Sequence, residues 1–223
     1  MPWSPGRLAA SVRPEEVDVS TRVRFWVDPI CPWCWVTARW IMEIAPERDL
    51  DVVWEPISLL VKNNPDPEGT YYPAVAWSRQ LLRVMESVRA AGGEDRLGDL
   101  YREYGARIHH DRERMWDPAE ALAAVGLDVA HAAAATDEVW DGELRRRMDE
   151  GLALVGNDVG TPIIAFTADD GREVAIFGPV ITKVPELKDA LALWDSVVTL
   201  AAMPEFWELK RTRNVGPEFG ARP

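Results

Sequence analysis

The chain has 223 residues, 47% of them apolar and 28% charged, enough to bury one sizeable core with room for a large insertion. Its formal net charge of −12 argues against a nucleic-acid partner, which calls for a basic patch. No apolar run reaches the roughly 18 residues that a membrane helix needs, and the opening MPWSPGRLAASVRPEEVDVSTR lacks the apolar centre of a secretory signal. The chain therefore reads as cytoplasmic, with a frayed arm over residues 1–22.

In chain order, VRFWVD (23–28) reads as a buried strand rich in β-branched and aromatic residues. Asp28-Pro29 turns the chain. A helical pattern runs from Trp33 to about Ala45, carried by Val36, Trp40, Ile41 and Ile44, and Pro46 ends it. DVVWEPISLL (51–60) is a second strand, with Pro56 marking an edge or bulge. VKNNPDPEGTYYP (61–73) is dense in turn residues.

A long helical stretch follows. Trp77, Leu81, Val84, Met85 and Val88 share one helix face, another helix spans about 95–108, and Pro118 opens a short one. After an alanine-rich segment, Trp140, Leu144, Met148, Leu152 and Val155 form a further stripe. These stripes, and most of the eleven tryptophans, read as packing faces. Strand pattern returns at 163–167 and 172–177 as a hairpin around ADDG, followed by helices at about 185–201 and over EFWELKRTR, then an irregular tail. The order is β-α-β, a helical block, then β-β-α. Without the block this is the layout of a thioredoxin fold, so the expected organisation is a thioredoxin-fold domain over 23–60 and 158–213, an inserted helical subdomain over 61–157, and a tail at 214–223.

Both cysteines lie in one CPWC box, Cys31-Pro32-Trp33-Cys34, at the first strand-to-helix junction. A thiol there sits beside unpaired backbone N–H groups and the positive end of the helix dipole. Both favour the thiolate and can lower the pKa by several units from roughly 8.5. Cys31 is the expected exposed nucleophile, and Cys34, one turn in, the resolving thiol. Pro32 suits the first turn because its missing N–H is not needed. That pair is sufficient for thiol–disulfide exchange. Gly160-Thr161-Pro162, just before the third strand, fits a cis X–Pro bond. In thioredoxin-like proteins the residue before such a proline, here Thr161, offers its backbone to an extended substrate.

The rival chemistry, structural zinc, needs four ligands, and the chain supplies two cysteines plus His109, His110 and His131, so no metal is expected. A purely structural disulfide would close too short a loop to stabilise much.

FWVDPICPWCWVTARW together with VGTPII resembles the DsbA-like family, an α/β thioredoxin fold with a helical insertion. Within it the chain is most similar to the mycothiol-dependent nitroreductases, intracellular bacterial reductases, through ISLLVKNN, ARIH, VGNDVGTP, FGPV and FWELKRTR. The resemblance implies that Cys31 attacks, Cys34 resolves, and Trp33, Asn63, Tyr72 and His109 line the pocket, with Pro32, Thr161 and Pro162 beside them. It implies a small thiol, mycothiol, as cosubstrate, small oxidised or electrophilic substrates, and no flavin or nicotinamide. The loop before Tyr72 aligns poorly, leaving Tyr71 as its competitor.

Many thioredoxins keep a buried acid on the first strand six residues before the nucleophile. Here that position is Phe25, with Asp28 three residues before Cys31. Asp28, His109 and water all stay open as proton carriers. Two other readings compete: a glutathione-transferase-kappa or hydroxychromene-carboxylate-isomerase type enzyme, which typically has serine at the nucleophile position, and a redox-sensing holdase without turnover.

Overall fold

The computed structural model describes residues 20–168 and 170–223, so the N-terminal arm falls outside the described residues up to residue 19. Strand β1 (Thr21–Val27) pairs in parallel with β2 (Leu50–Pro56). On its other side β1 runs antiparallel to β3 (Ile163–Thr167), which forms a hairpin with β4 (Glu173–Phe177). The sheet order β2-β1-β3-β4 puts Pro56 at the end of an edge strand, where its missing N–H costs the ladder little.

Side chains along β1 alternate between faces. Val23, Phe25 and Val27 join the larger core with helix α1 (Pro32–Ile44) and α7 (Leu187–Ala201), while Trp26 joins a smaller cluster on the opposite face. With α1 between two parallel strands and β3-β4-α7 closing the chain, the molecule has the thioredoxin fold.

Between β2 and β3 lie α2 (Leu59–Asn63), α3 (Tyr72–Ala90), α4 (Leu97–Gly105), α5 (Pro118–Ala124) and α6 (Asp141–Val155). They dock on the sheet and α1 through close glycine–tryptophan contacts. A Cβ on Gly105 would fall 2.3 Å from the Trp35 ring, and one on Gly151 of α6 would fall 2.6 Å from Trp26. A buried charge cluster adds a second tie. Arg147 of α6 stands 2.9 Å from Glu55 of β2 and 3.0 Å from Glu86 of α3, which also pairs with Arg89 at 3.2 Å. Both carboxylates are almost fully buried, a position that a charge tolerates only with such partners. No described helix is long and apolar enough to cross a membrane.

Three expectations are corrected. The second strand stops at Pro56, and Leu59–Asn63 is a helical turn capped by the Ser58 hydroxyl and ended by Asn64 at a left-handed φ of 43°. The helix expected over 95–108 becomes a 3-10 turn, α4, and a π-helical turn at Ala106–His110. EFWELKRTR forms no helix and is irregular, with Trp207 and Leu209 87% and 78% exposed and no core to cover them. A short helix without a packed face does not hold in water.

Candidate active site

At its C-terminal end the interior strand β1 hands the chain to a turn organised by Asp28. This carboxylate is fully buried. Its Oδ1 accepts from the Ile30 N–H (3.1 Å) and the Ser78 hydroxyl of α3, and its Oδ2 from the Leu59 N–H (2.7 Å). The Cys31 N–H returns to the Asp28 carbonyl at 3.0 Å. His109, in the π-helical turn, donates Nε2–H to the Pro29 carbonyl at 2.9 Å, and its ring stacks on Trp35. The turn is thus fixed from α2, α3 and the end of α4 together.

Cys31 caps α1. Its Sγ accepts from the Cys34 N–H at 3.4 Å and faces the Thr161 carbonyl at 4.0 Å. The Thr161–Pro162 bond is cis, and so is Gly178–Pro179. Cys34 is sealed beneath: Thr161 Oγ1 lies 3.0 Å from its sulfur, the Tyr101 hydroxyl 3.7 Å, and the thiol reaches the Trp26 carbonyl at 3.8 Å. Both cysteines are free thiols.

The electrostatics overturn the expectation of an exposed, acidic Cys31. Only 9% of the residue is exposed, and burial pushes its thiol up to about 11. The Cys34 N–H opposes that shift, the Asp28 charge adds to it, and the Trp33 N–H and Arg213 oppose it further. Loss of water outweighs the helix-start donors. Cys34 is raised well above the ordinary thiol range, by burial first and then by Cys31. Burial lifts Asp28 to about 6 against its three hydrogen bonds, and drives His109 down to about 4.

Of the site residues expected from the sequence, Thr161 lies against both cysteines with Pro162 next in the chain, Trp33 lies between them in the box, and His109 holds the preceding turn through Pro29. Pro32 opens α1 beside them. Tyr71 is raised to about 12, by its own burial and by the charges of Asp28 and Cys31, and Tyr72 is half-buried at the start of α3. Asn63 is exposed at the end of α2, and among the described residues its side chain makes no hydrogen bond to the site. Sequence reading missed Ser78 and Tyr101, which lie among the apolar residues of their helix stripes, and Arg213. Among the described residues, no group of three or more His, Cys, Asp or Glu side chains is placed to hold a metal ion.

The model of the Rv2466c-like family, described as "Mycothiol-dependent nitroreductase Rv2466c", matches residues 30–211. The uncharacterized protein Rv2286c of Mycobacterium tuberculosis is 29% identical over 203 residues, spanning 87% of this chain and 83% of that one. Among solved structures, the cytosolic disulfide reductase DsbM of Pseudomonas aeruginosa with GSH aligns with a TM-score of 0.53 at 17% identity, covering 80% of this chain and all (100%) of that one. A probable DsbA oxidoreductase of Streptomyces coelicolor aligns at 0.51 and 20% identity, covering 87% and 94%. These two share the fold.

Proposed function

The chain belongs to the Rv2466c-like family, and from that membership we propose that it is a cytoplasmic, mycothiol-dependent reductase of small disulfides and electrophiles, nitro compounds among them. As a thiol–disulfide oxidoreductase it works with two sulfurs of unequal access. The observation that carries the reading is this asymmetry: Cys31 caps α1 beside the Thr161 carbonyl, while Cys34 is closed in by Thr161, Tyr101 and Trp26.

In the first step the Cys31 thiolate attacks one sulfur of a substrate disulfide. A Cys31–substrate disulfide forms, the substrate's own S–S bond breaks, and the other half leaves as a thiolate. Cys34 then loses its proton and attacks Cys31 Sγ, which releases the second half as a thiolate and leaves a Cys31–Cys34 disulfide. The substrate gains two electrons and the protein loses two. The Thr161 and Tyr101 hydroxyls favour the Cys34 thiolate in that step. Of the two side-chain acceptors open to the Cys34 proton, Asp28, held near 6 and close enough for its charge to act on Cys31, suits the task better. His109 is a poor one, since its Nε2–H is committed to Pro29 and burial keeps it at about 4.

Mycothiol, when bound, supplies the thiols that return the disulfide to the dithiol. The chain's own residues suit a small polar thiol: the Trp33 ring is half-buried and Tyr71 45% exposed at the Cys31 site, offering a stacking face and a hydroxyl. Turnover of a small disulfide by the purified protein with mycothiol as reductant tests the reading. Sustained turnover that vanishes in Cys31→Ser is expected. No turnover by the unaltered protein would favour the holdase, and undiminished turnover by Cys31→Ser would remove the nucleophile.

A further inference from the structure

Beyond α7 the chain does not leave the molecule. It crosses the α1 face as an irregular strap fastened at three places. The Glu218 N–H donates to the Thr182 carbonyl at 2.7 Å. The Phe219 ring packs 5.1 Å from His109 and 5.7 Å from His110, while Arg39 donates to its carbonyl. Arg222 pairs with both oxygens of Asp111 at 2.9 and 3.0 Å. Upstream of these fasteners, Arg213 lays its guanidinium over the Trp33 ring, 4.9 Å from the centroid. Trp33 is the residue between Pro32 and Cys34 in the CPWC box, so this cation stands at the mouth of the site. It is the last residue of FWELKRTR, two residues past the stretch matched by the family model.

We propose that the strap is part of the active site, holding Arg213 on Trp33 as the positioning counter-cation that stabilises the Cys31 thiolate. The proposal rests on the reading of Cys31 as nucleophile. Its physical reason is the composition of the surroundings. Of the other titratable groups at the site, Asp28 is an anion at neutral pH and adds to the rise of Cys31, while burial keeps Cys34, Tyr71, Tyr101 and His109 neutral there. Arg213, held over the neighbouring Trp33 ring, is a cation whose charge favours the Cys31 thiolate, the smallest of the influences named above. A guanidinium held on an aromatic face keeps its charge at any working pH and loses little freedom in doing so. Being exposed, its effect is screened by salt.

The test is the rate at which iodoacetamide, a neutral reagent, alkylates Cys31 at fixed neutral pH, read by peptide mass spectrometry on the full chain. Arg213→Gln is expected to slow Cys31 by about three- to tenfold, equivalent to roughly half a unit to one unit in the thiol's pKa. Arg213→Lys should recover most of the rate. Added salt should slow the unaltered protein and leave Arg213→Gln unchanged. Arg222→Gln combined with Phe219→Ala, which removes two of the three fasteners, should slow Cys31 in the same direction and add nothing in the Arg213→Gln background. Equal rates and equal salt dependence in the unaltered protein and Arg213→Gln overturn the proposal, as do additive effects of Arg213→Gln and the loosened strap. If Cys34 is alkylated as fast as Cys31 in the unaltered protein, the nucleophile assignment itself falls, a distinguishable result.

Discussion

His109 gives one hydrogen bond to the Pro29 carbonyl, and burial keeps its imidazole neutral down to about pH 4 against an ordinary value of 6.5. A depressed folded-state pKa contributes stability that is present above pH 6.5 and lost as the pH falls through 4. Asp28 has the opposite sign. Raised from 3.8 to about 6, it contributes stability that is present below 3.8 and lost as the pH rises through 6. The two offset each other across the acid range. Replacing His109 by Gln keeps a donor for Pro29 and removes one side of that balance. Between neutral pH and about pH 4.5, the stability of the unaltered protein relative to His109→Gln should fall by about 2 kcal/mol, measured by denaturant unfolding at both pH values. A constant difference would show that His109 is not buried in the neutral form. At this scale the CPWC box and Thr161-Pro162 were legible because short local motifs state their own geometry. The protonation of Cys31 was not: it depends on burial by residues distant in the chain, and the helix-start argument sees only the first turn.

At the scale of elements, α4 meets α1 by pressing a backbone onto an indole. Gly105→Ala brings two effects into competition. Alanine in place of glycine favours the helix by roughly 1 kcal/mol. Its methyl, however, would lie 2.3 Å from the ring of Trp35, which is itself fully buried and locked between Tyr101, His109 and His110. The ring has nowhere to move, and overpacking of this kind costs about 1–3 kcal/mol, more at such a distance. The clash wins. Gly105→Ala is expected to lower the unfolding free energy by about 2 kcal/mol. Alanine at Gly142, where nothing lies within 4 Å, is expected to be neutral or stabilising. The strands and α1 were readable because apolar alternation and β-branched runs report burial directly. The π-helical turn was not, since ARIHH carries no breaker, and its geometry follows from seating His109 and His110 on Trp35. EFWELKRTR has helical spacing, but spacing forms a helix only where its stripe has something to cover.

At the scale of the whole molecule, the site is a meeting point. Asp28 comes from the end of β1, the cysteines from α1, Ser78 from α3, Tyr101 from α4, Thr161 from the turn before β3, and Arg213 from the strap. The sequence order of strands and helices predicts that the first and third strands become neighbours, which brings Thr161 to Cys31. Nothing in that order says that the stretch after α7 returns across α1, because irregular segments held by single contacts have no periodicity. The chemistry requires a division of labour between the two sulfurs, and one measurement addresses it. Cys34→Ser protein is treated with one equivalent of an oxidised small thiol and digested, and the adduct is located by peptide mass spectrometry. The prediction is a single mixed disulfide on Cys31 that persists, while the unaltered protein carries the same treatment through to a Cys31–Cys34 disulfide. Absence of an adduct on Cys31, or an adduct that clears without Cys34, would contradict it.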